Sequence, residues 1–257
     1  MYDIATRKRA IALVRQGFSI NAVSKQTGVS RSAIARWQVN IEPVSLKSEC
    51  PRCSPLGHLQ DVAETYAYLL GLYLGDGHII QYSQHRAPSL MVACSEAWPG
   101  LIAECEAAMR AVFPNNSVCR VRRTGCHNVK VYSQHLWCMF PQHGVGKKHE
   151  RPIVLEAWQQ QIVDRHPWEF IRGLFHSDGC RITNWTTRLV AGERKRYEYP
   201  RYFFTNKSDD IRKLCSDTLT KVGVEWTTLA RGSDPFNISV ARRASVALMD
   251  KHVGPKY

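Results

Sequence analysis

The sequence predicts an α+β protein built from two pseudo-symmetric αββαββα halves, preceded by a small all-α domain. Three observations predict it. From residue 63 onward the chain repeats itself in one order. Within each copy the apolar residues switch between helical spacing and alternation. Before residue 42 the spacing is helical throughout, cut by Ser and Gly where helices start and stop.

The first 41 residues read as three short helices. Ala10, Ile11 and Val14 give one apolar stripe. Ser19 is placed to cap a second helix carrying Ile20 and Val23, and Gly28 breaks the chain. Ser30 starts a third helix with Ile34 and Trp37 at i, i+3 spacing. The segment INAVSKQTGVSRSAIARW resembles the helix-turn-helix of resolvases and transposases. That resemblance implies a third helix that reads DNA through Arg31, Ser32 and Arg36. The competing expectation is a helical bundle that contacts protein.

Residues 42–62 read as a linker. It holds Cys50 and Cys53 at zinc-knuckle spacing, with His58 as a third candidate ligand. Tetrahedral zinc needs four ligands, so a structural Zn²⁺ competes with an unliganded pair. The chain has nine cysteines, an odd number, and no secretory signal is visible. Reduced thiols and a cytoplasmic, nucleoid-associated location are expected. The longest near-apolar run, Ala67 to Gly75, is too short to span a bilayer.

The net charge is +13 over 257 residues, which favours polyanionic partners. Residues 1–62 carry +5, residues 63–150 carry +2 and residues 151–257 carry +6. The folded surface, not a basic tail, should therefore make the contact.

The repeat places one half at residues 63–150 and the other at 151–257. YLLGLYLGDG (68–77) and FIRGLFHSDG (170–179) are versions of one pattern. Leu101, Cys105, Met109 and Val112 then match Ile211, Cys215, Leu219 and Val222. HNVKVYSQHLWCMFPQHGVGK (127–147) lies over FNISVARRASVALMDKHVGPK (236–256) without a gap, so Lys147 falls on Lys256. Strands are expected near Leu90–Cys94, Val118–Val121, Val129–Tyr132, Tyr202–Thr205 and Phe236–Val240. A helical piece, IVLEAWQQQIV, sits between the halves.

The two glycine-containing helices carry the chemistry. Gly71 and Gly75 share one helix face, as do Gly173 and Ser177. Glycine inside a helix costs roughly 1 kcal/mol against alanine. A small-xxx-small face repays this by letting two backbones approach closely. Helix 69–76 is therefore expected to pack on helix 171–178. Each then ends in an acid and a glycine, Asp76-Gly77 and Asp178-Gly179. A carboxylate at the negative end of a helix is unfavourable. Two such carboxylates brought together either gain protons or hold a cation between them. Mg²⁺ or another oxygen-liking divalent ion suits carboxylates, carbonyls and water. The alternative is that each Asp caps its own loop.

LLGLYLGDG and IRGLFHSDG resemble the two signature motifs of LAGLIDADG homing endonucleases, and the resemblance covers residues 63–257. It implies a DNA-binding saddle with the motif helices at its centre. It further implies that Asp76, Asp178 and the carbonyls of Gly75 and Ser177 hold the catalytic metal. A late basic residue in each half, Lys147 and Lys256, would stand near the scissile phosphate, with Lys148 as a substitute for the first. Asn206 would organise water in the second half. Cys94 aligns with it in the first and cannot do the same work.

The expected activity is site-specific, divalent-metal-dependent cleavage of both strands of a long, asymmetric double-stranded DNA target by a monomer, as in intron homing. His78, Gln81, Ser83, Arg181, Thr183 and Asn184 are candidates for base contacts. Arg194, Lys195 and Arg196 read either as a hairpin tip that contacts phosphates or as a solvated loop. Two alternatives share the scaffold: a non-cleaving DNA-binding transcriptional regulator, and an intron maturase that binds RNA.

Overall fold

A computed structural model describes residues 4–39, 59–83, 86–231 and 234–257. Two compact units result, Met1–Cys50 and Pro51–Tyr257. Cys50, Cys53 and His58 lie outside the described residues. No helix among the described residues is long and apolar enough to cross a membrane.

The first unit holds α1 (Ile4–Arg15), α2 (Ile20–Thr27) and α3 (Arg31–Val39). The Ser19 hydroxyl accepts from the Ala22 N–H, and Gly28 ends α2 in the left-handed conformation with φ 69°. Ser30 accepts from the Ala33 N–H at the start of α3. Ala10, Ile11, Val23, Val29, Ile34 and Trp37 form the core between the three helices. Arg31, Ser32 and Arg36 are exposed on α3.

The second unit repeats one unit twice. The first copy runs α4 (Ala63–Leu74), β1 (Gly77–Ile80), β2 (Ser89–Ser95), α5 (Pro99–Val112), β3 (Val118–Arg123), β4 (Cys126–Tyr132) and α6 (Leu136–Met139). The second runs α8 (Pro167–Asp178), β5 (Gly179–Val190), β6 (Glu193–Thr205), α9 (Asp209–Lys221), β7 (Thr227–Arg231), β8 (Asp234–Val240) and α10 (Arg243–His252). Between them lies α7 (Ala157–Arg165), which starts later than the apolar pattern suggests because Glu156 and Gln159 form a capping box.

Each copy folds one antiparallel sheet, in orders β1-β2-β4-β3 and β5-β6-β8-β7. The registers superpose: Gly77 faces Val92 and Val92 faces Val129, just as Gly179 faces Phe204 and Phe204 faces Ile238. Alternation sends Leu90, Val92, Val129 and Val131 inward in one sheet, and Tyr202, Phe204, Ile238 and Val240 in the other. These residues join one continuous core with α4 and α8.

Helices α4 and α8 pack backbone to backbone at its centre. A Cβ added at Gly71 would lie 2.6 Å from the Phe170 carbonyl oxygen, and one at Gly173 would lie 2.1 Å from that of Tyr68. Only glycine permits this approach. The expected helix over 69–76 closes two residues early, at Leu74. Gly75 leaves helical geometry with ψ −95° while its N–H still donates to the Gly71 carbonyl. α8 continues through Asp178.

One feature exceeds the expectation. β5 and β6 form a 12-residue and a 13-residue strand joined by Ala191-Gly192, both at positive φ. β6 pairs with β8 only from Tyr202 to Thr205. The remainder is a free-standing two-stranded ribbon.

Candidate active site

The close crossing of α4 and α8 brings their ends together. A Cβ on Gly75 would lie 1.9 Å from the Ser177 hydroxyl oxygen and 3.2 Å from Oδ2 of Asp178. Asp76 follows directly, so the two acids share one locale. Asp76 reaches the surface, yet the surrounding protein pushes its carboxyl up to about 6, and the charge on Asp178 adds to the effect. Burial also raises Asp178, opposed first by the hydrogen bond from Asn206 and then by Lys148 and Lys256. Each acid is thus harder to ionise than an ordinary carboxyl, and a cation between them would favour the charged forms.

Two lysines supply part of that charge. Lys148 Nζ donates to the carbonyls of Tyr73, Leu74 and Gly75 at 2.5, 3.0 and 2.6 Å. Lys256 Nζ donates to the Ser177 carbonyl at 2.7 Å. Gly75 and Ser177 each precede an acid, so the two ammonium groups occupy equivalent places. The carbonyls there are the unsatisfied negative ends of α4 and α8. Desolvation pulls Lys148 down to about 8 and also lowers Lys256, with Asp76 and Asp178 acting against it in both cases.

Lys147, the expected partner of Lys256, is not at the centre. Its side chain is 72% exposed and pairs with Glu150 at 3.4 Å. Gly146, at φ 82°, turns the chain there, and Arg151 holds the loop by donating to the Gln142 and Gly146 carbonyls. The gapless repeat is therefore off by one residue at this lysine, and Lys148 takes the inner place.

Asn206 donates to Asp178 Oδ2 at 2.6 Å and accepts from the Ser208 N–H at 2.8 Å. The superposed registers put Cys94 at the corresponding place in the first half. It lines a cavity of about 280 Å³ together with Asp76, Ser177 and Lys256.

The donor set fits a hard divalent cation. Two carboxylates and two carbonyls offer oxygen alone, and the carbonyls already attract ammonium groups. Among the described residues no cluster of three or more His, Cys, Asp and Glu could hold a metal. A cation here would keep several of its waters, as Mg²⁺ does.

Comparison with solved structures shows the same architecture. The chain is similar to I-DmoI in complex with DNA and Mn, at 17% identity and a TM-score of 0.50, covering 76% of this chain and 99% of that one. It is likewise similar to mesophilic variants of the homing endonuclease I-DmoI, at 18% identity and a TM-score of 0.50, covering 75% and 97%. The fold is that of the LAGLIDADG homing endonucleases. A homeodomain-like domain matches residues 1–38. No curated protein matches the chain by sequence. In this LAGLIDADG fold α4 and α8 are the two motif helices.

The open face of each LAGLIDADG sheet separates the surface candidates. His78 faces Met91, and Met91 faces Lys130, on the side away from the core. Asn184 lies on the matching side of β5, facing Tyr199. Arg181 does not. It shares a face with buried Tyr202, and its guanidinium grips Asp250 of α10 at 2.7 and 3.0 Å. Thr183 lies on that same face, opposite Pro200. Strand alternation therefore sets Arg181 and Thr183 on the opposite face from His78 and Asn184; Arg181 is engaged by Asp250, while Thr183, in the free-standing part of the ribbon, is exposed. Gln81 and Ser83 are exposed in the loop after β1. Arg194, Lys195 and Arg196 flank the ribbon turn, with Arg196 paired to Glu198 and stacked over Trp185.

The sequence offers little sign of the polar group behind the site. His176 of α8 meets the Tyr68 hydroxyl at 3.1 Å and the Val253 carbonyl at 3.3 Å. Burial pulls its imidazole down to about 4, so it is neutral. The Val253 carbonyl only accepts, so Nε2 carries the proton and Nδ1 accepts from Tyr68. The only hint is a histidine where the other motif has leucine.

Proposed function

We propose that the chain is a divalent-metal-dependent endonuclease that cuts both strands of a long, asymmetric DNA duplex. One observation carries this: Asp76 and Asp178 meet at the ends of two helices, each beside a carbonyl that already holds an ammonium group. Solved structures of the same fold include a variant of I-DmoI in complex with its target DNA in the presence of Mg, at 17% identity and a TM-score of 0.50.

Asp76, Asp178 and the carbonyls of Gly75 and Ser177 would hold the cation. When bound, it would lower the pKa of water and offset negative charge on the leaving oxygen. Asn206 holds Asp178 in orientation. Lys148 and Lys256 are placed to offset charge that develops on the phosphate. The open sheet faces read base edges, and ribbon cations contact phosphates. The three-helix unit supplies a second DNA contact through α3. The protein acts as a monomer, since both acids reside in one chain.

The test is incubation with a randomised duplex library and Mg²⁺, followed by sequencing of cut ends. Cuts clustered on one sequence are expected. Binding of that sequence without cutting would favour the regulator, and selective retention of RNA would favour the maturase.

A further inference from the structure

The segment 253–257 leaves the second half and lies on α5 of the first. It is tied at both ends. His176 Nε2 donates to the Val253 carbonyl, and at the other end the Leu101 N–H donates to the Tyr257 carbonyl at 3.2 Å. The Tyr257 hydroxyl donates to Oε2 of Glu104 at 3.1 Å. The Tyr257 ring covers Gly100 so closely that a Cβ there would lie 2.0 Å from Cδ2. Glu104 is held in turn by Arg172 of α8. Lys256 sits between the two ties with its ammonium on the Ser177 carbonyl.

We propose that Tyr257, seated on Gly100 and Glu104, is the positioning residue for Lys256. The lysine of the second half is thus aimed by a helix of the first. Lys148 has a separate device, the Arg151 clamp on the 142–146 loop. The two lysines occupy equivalent places through unrelated supports. A change under Tyr257 should therefore free one and leave the other. A side chain as long as lysine has little reason to keep one rotamer at a helix end unless its backbone is tethered on both sides. The role of Lys256 at the phosphate rests on the nuclease proposal; the positioning itself does not.

The experiment is competitive acetylation of the full chain, without DNA or metal, read lysine by lysine by mass spectrometry. In the unmodified protein Lys256 should react slowly beside Lys213, whose side chain is 73% exposed. Tyr257→Ala and, independently, Gly100→Ala should speed Lys256 labelling about tenfold, with Lys148 unchanged. Tyr257→Phe, which keeps the ring and loses only the hydroxyl, should fall between and serves if the alanine variant fails to fold. Unchanged Lys256 labelling in the folded variants would overturn the proposal. So would Lys148 labelling that rises in step, since that reports general loosening. In a cleavage assay Tyr257→Ala should slow cutting at saturating DNA without weakening binding. Absence of cutting by the unmodified chain would sink the nuclease proposal and leave the labelling result standing.

Discussion

Asn206 donates a 2.6 Å hydrogen bond to Asp178, while the equivalent place beside Asp76 belongs to the thiol of Cys94. The two acids are therefore unlike in their support. A hydrogen bond to a charged group contributes ~1.5–3 kcal/mol.

Asn206→Ala should slow cutting of one strand by about 10-fold or more, in line with the loss of that bond, and leave the other nearly unchanged. Cys94→Asn should act on the opposite strand and speed it. Single-turnover assays with differently labelled strands measure both. Equal effects on the two strands would contradict the assignment.

The acids also bear on stability. The folded pKa of Asp76, about 6, lies above its ordinary value of 3.8. Between those values the folded state holds a proton that the unfolded state has released. Stability from this group is present below about pH 4 and is lost as pH rises through about 6. Without metal, Asp76→Asn should raise Tm near pH 8 by about 2–4 °C, allowing for solvent access to the carboxyl, and change little near pH 4. A lower Tm near pH 8 would count against the repulsive setting. Metal affinity should fall as pH drops through about 6, because the carboxyl must ionise to bind.

The helix crossing makes a sharper structural demand. Gly71→Ala or Gly173→Ala should destabilise the protein by about 3 kcal/mol or more, since a new Cβ would meet backbone that cannot move aside. Urea unfolding reads this directly. Losses below about 1 kcal/mol, the range of an ordinary helix-propensity change, would mean the helices stand further apart.

The ribbon predicts a lopsided footprint. β5 has 12 residues and β1 has 4. At ~3.4 Å per residue the difference is ~27 Å, enough to follow several base pairs. Hydroxyl-radical protection should extend further on one side of the cut. Replacing 186–197 by a two-residue turn should shorten that side alone. A symmetric footprint would contradict this.

Much of the fold was legible because its signals are local and doubled. The Gly71/Gly173 faces, the two Asp-Gly endings and the paired apolar spacings of α5 and α9 each carry a physical meaning, and each occurs twice. Other features had no such echo. The ribbon turn is Ala191-Gly192, and alanine at φ 54° is a poor hairpin signal. The shift from Lys147 to Lys148 comes from a one-residue offset that a gapless alignment hides: the left-handed glycine two places before each inner lysine is Gly146 in one half and Gly254 in the other. The face of Arg181 follows from its register with Tyr202, a tertiary fact. The roles of His176, Glu104 and Tyr257 arise only where the two halves meet, from residues far apart in the chain.

The most direct test concerns the two acids. Asp76→Asn and Asp178→Asn, each assayed with a cognate duplex and Mg²⁺, should abolish double-strand cutting while leaving DNA affinity within about threefold, a change of under ~1 kcal/mol. Full double-strand cleavage by either variant would show that the paired aspartates are not the centre of the chemistry.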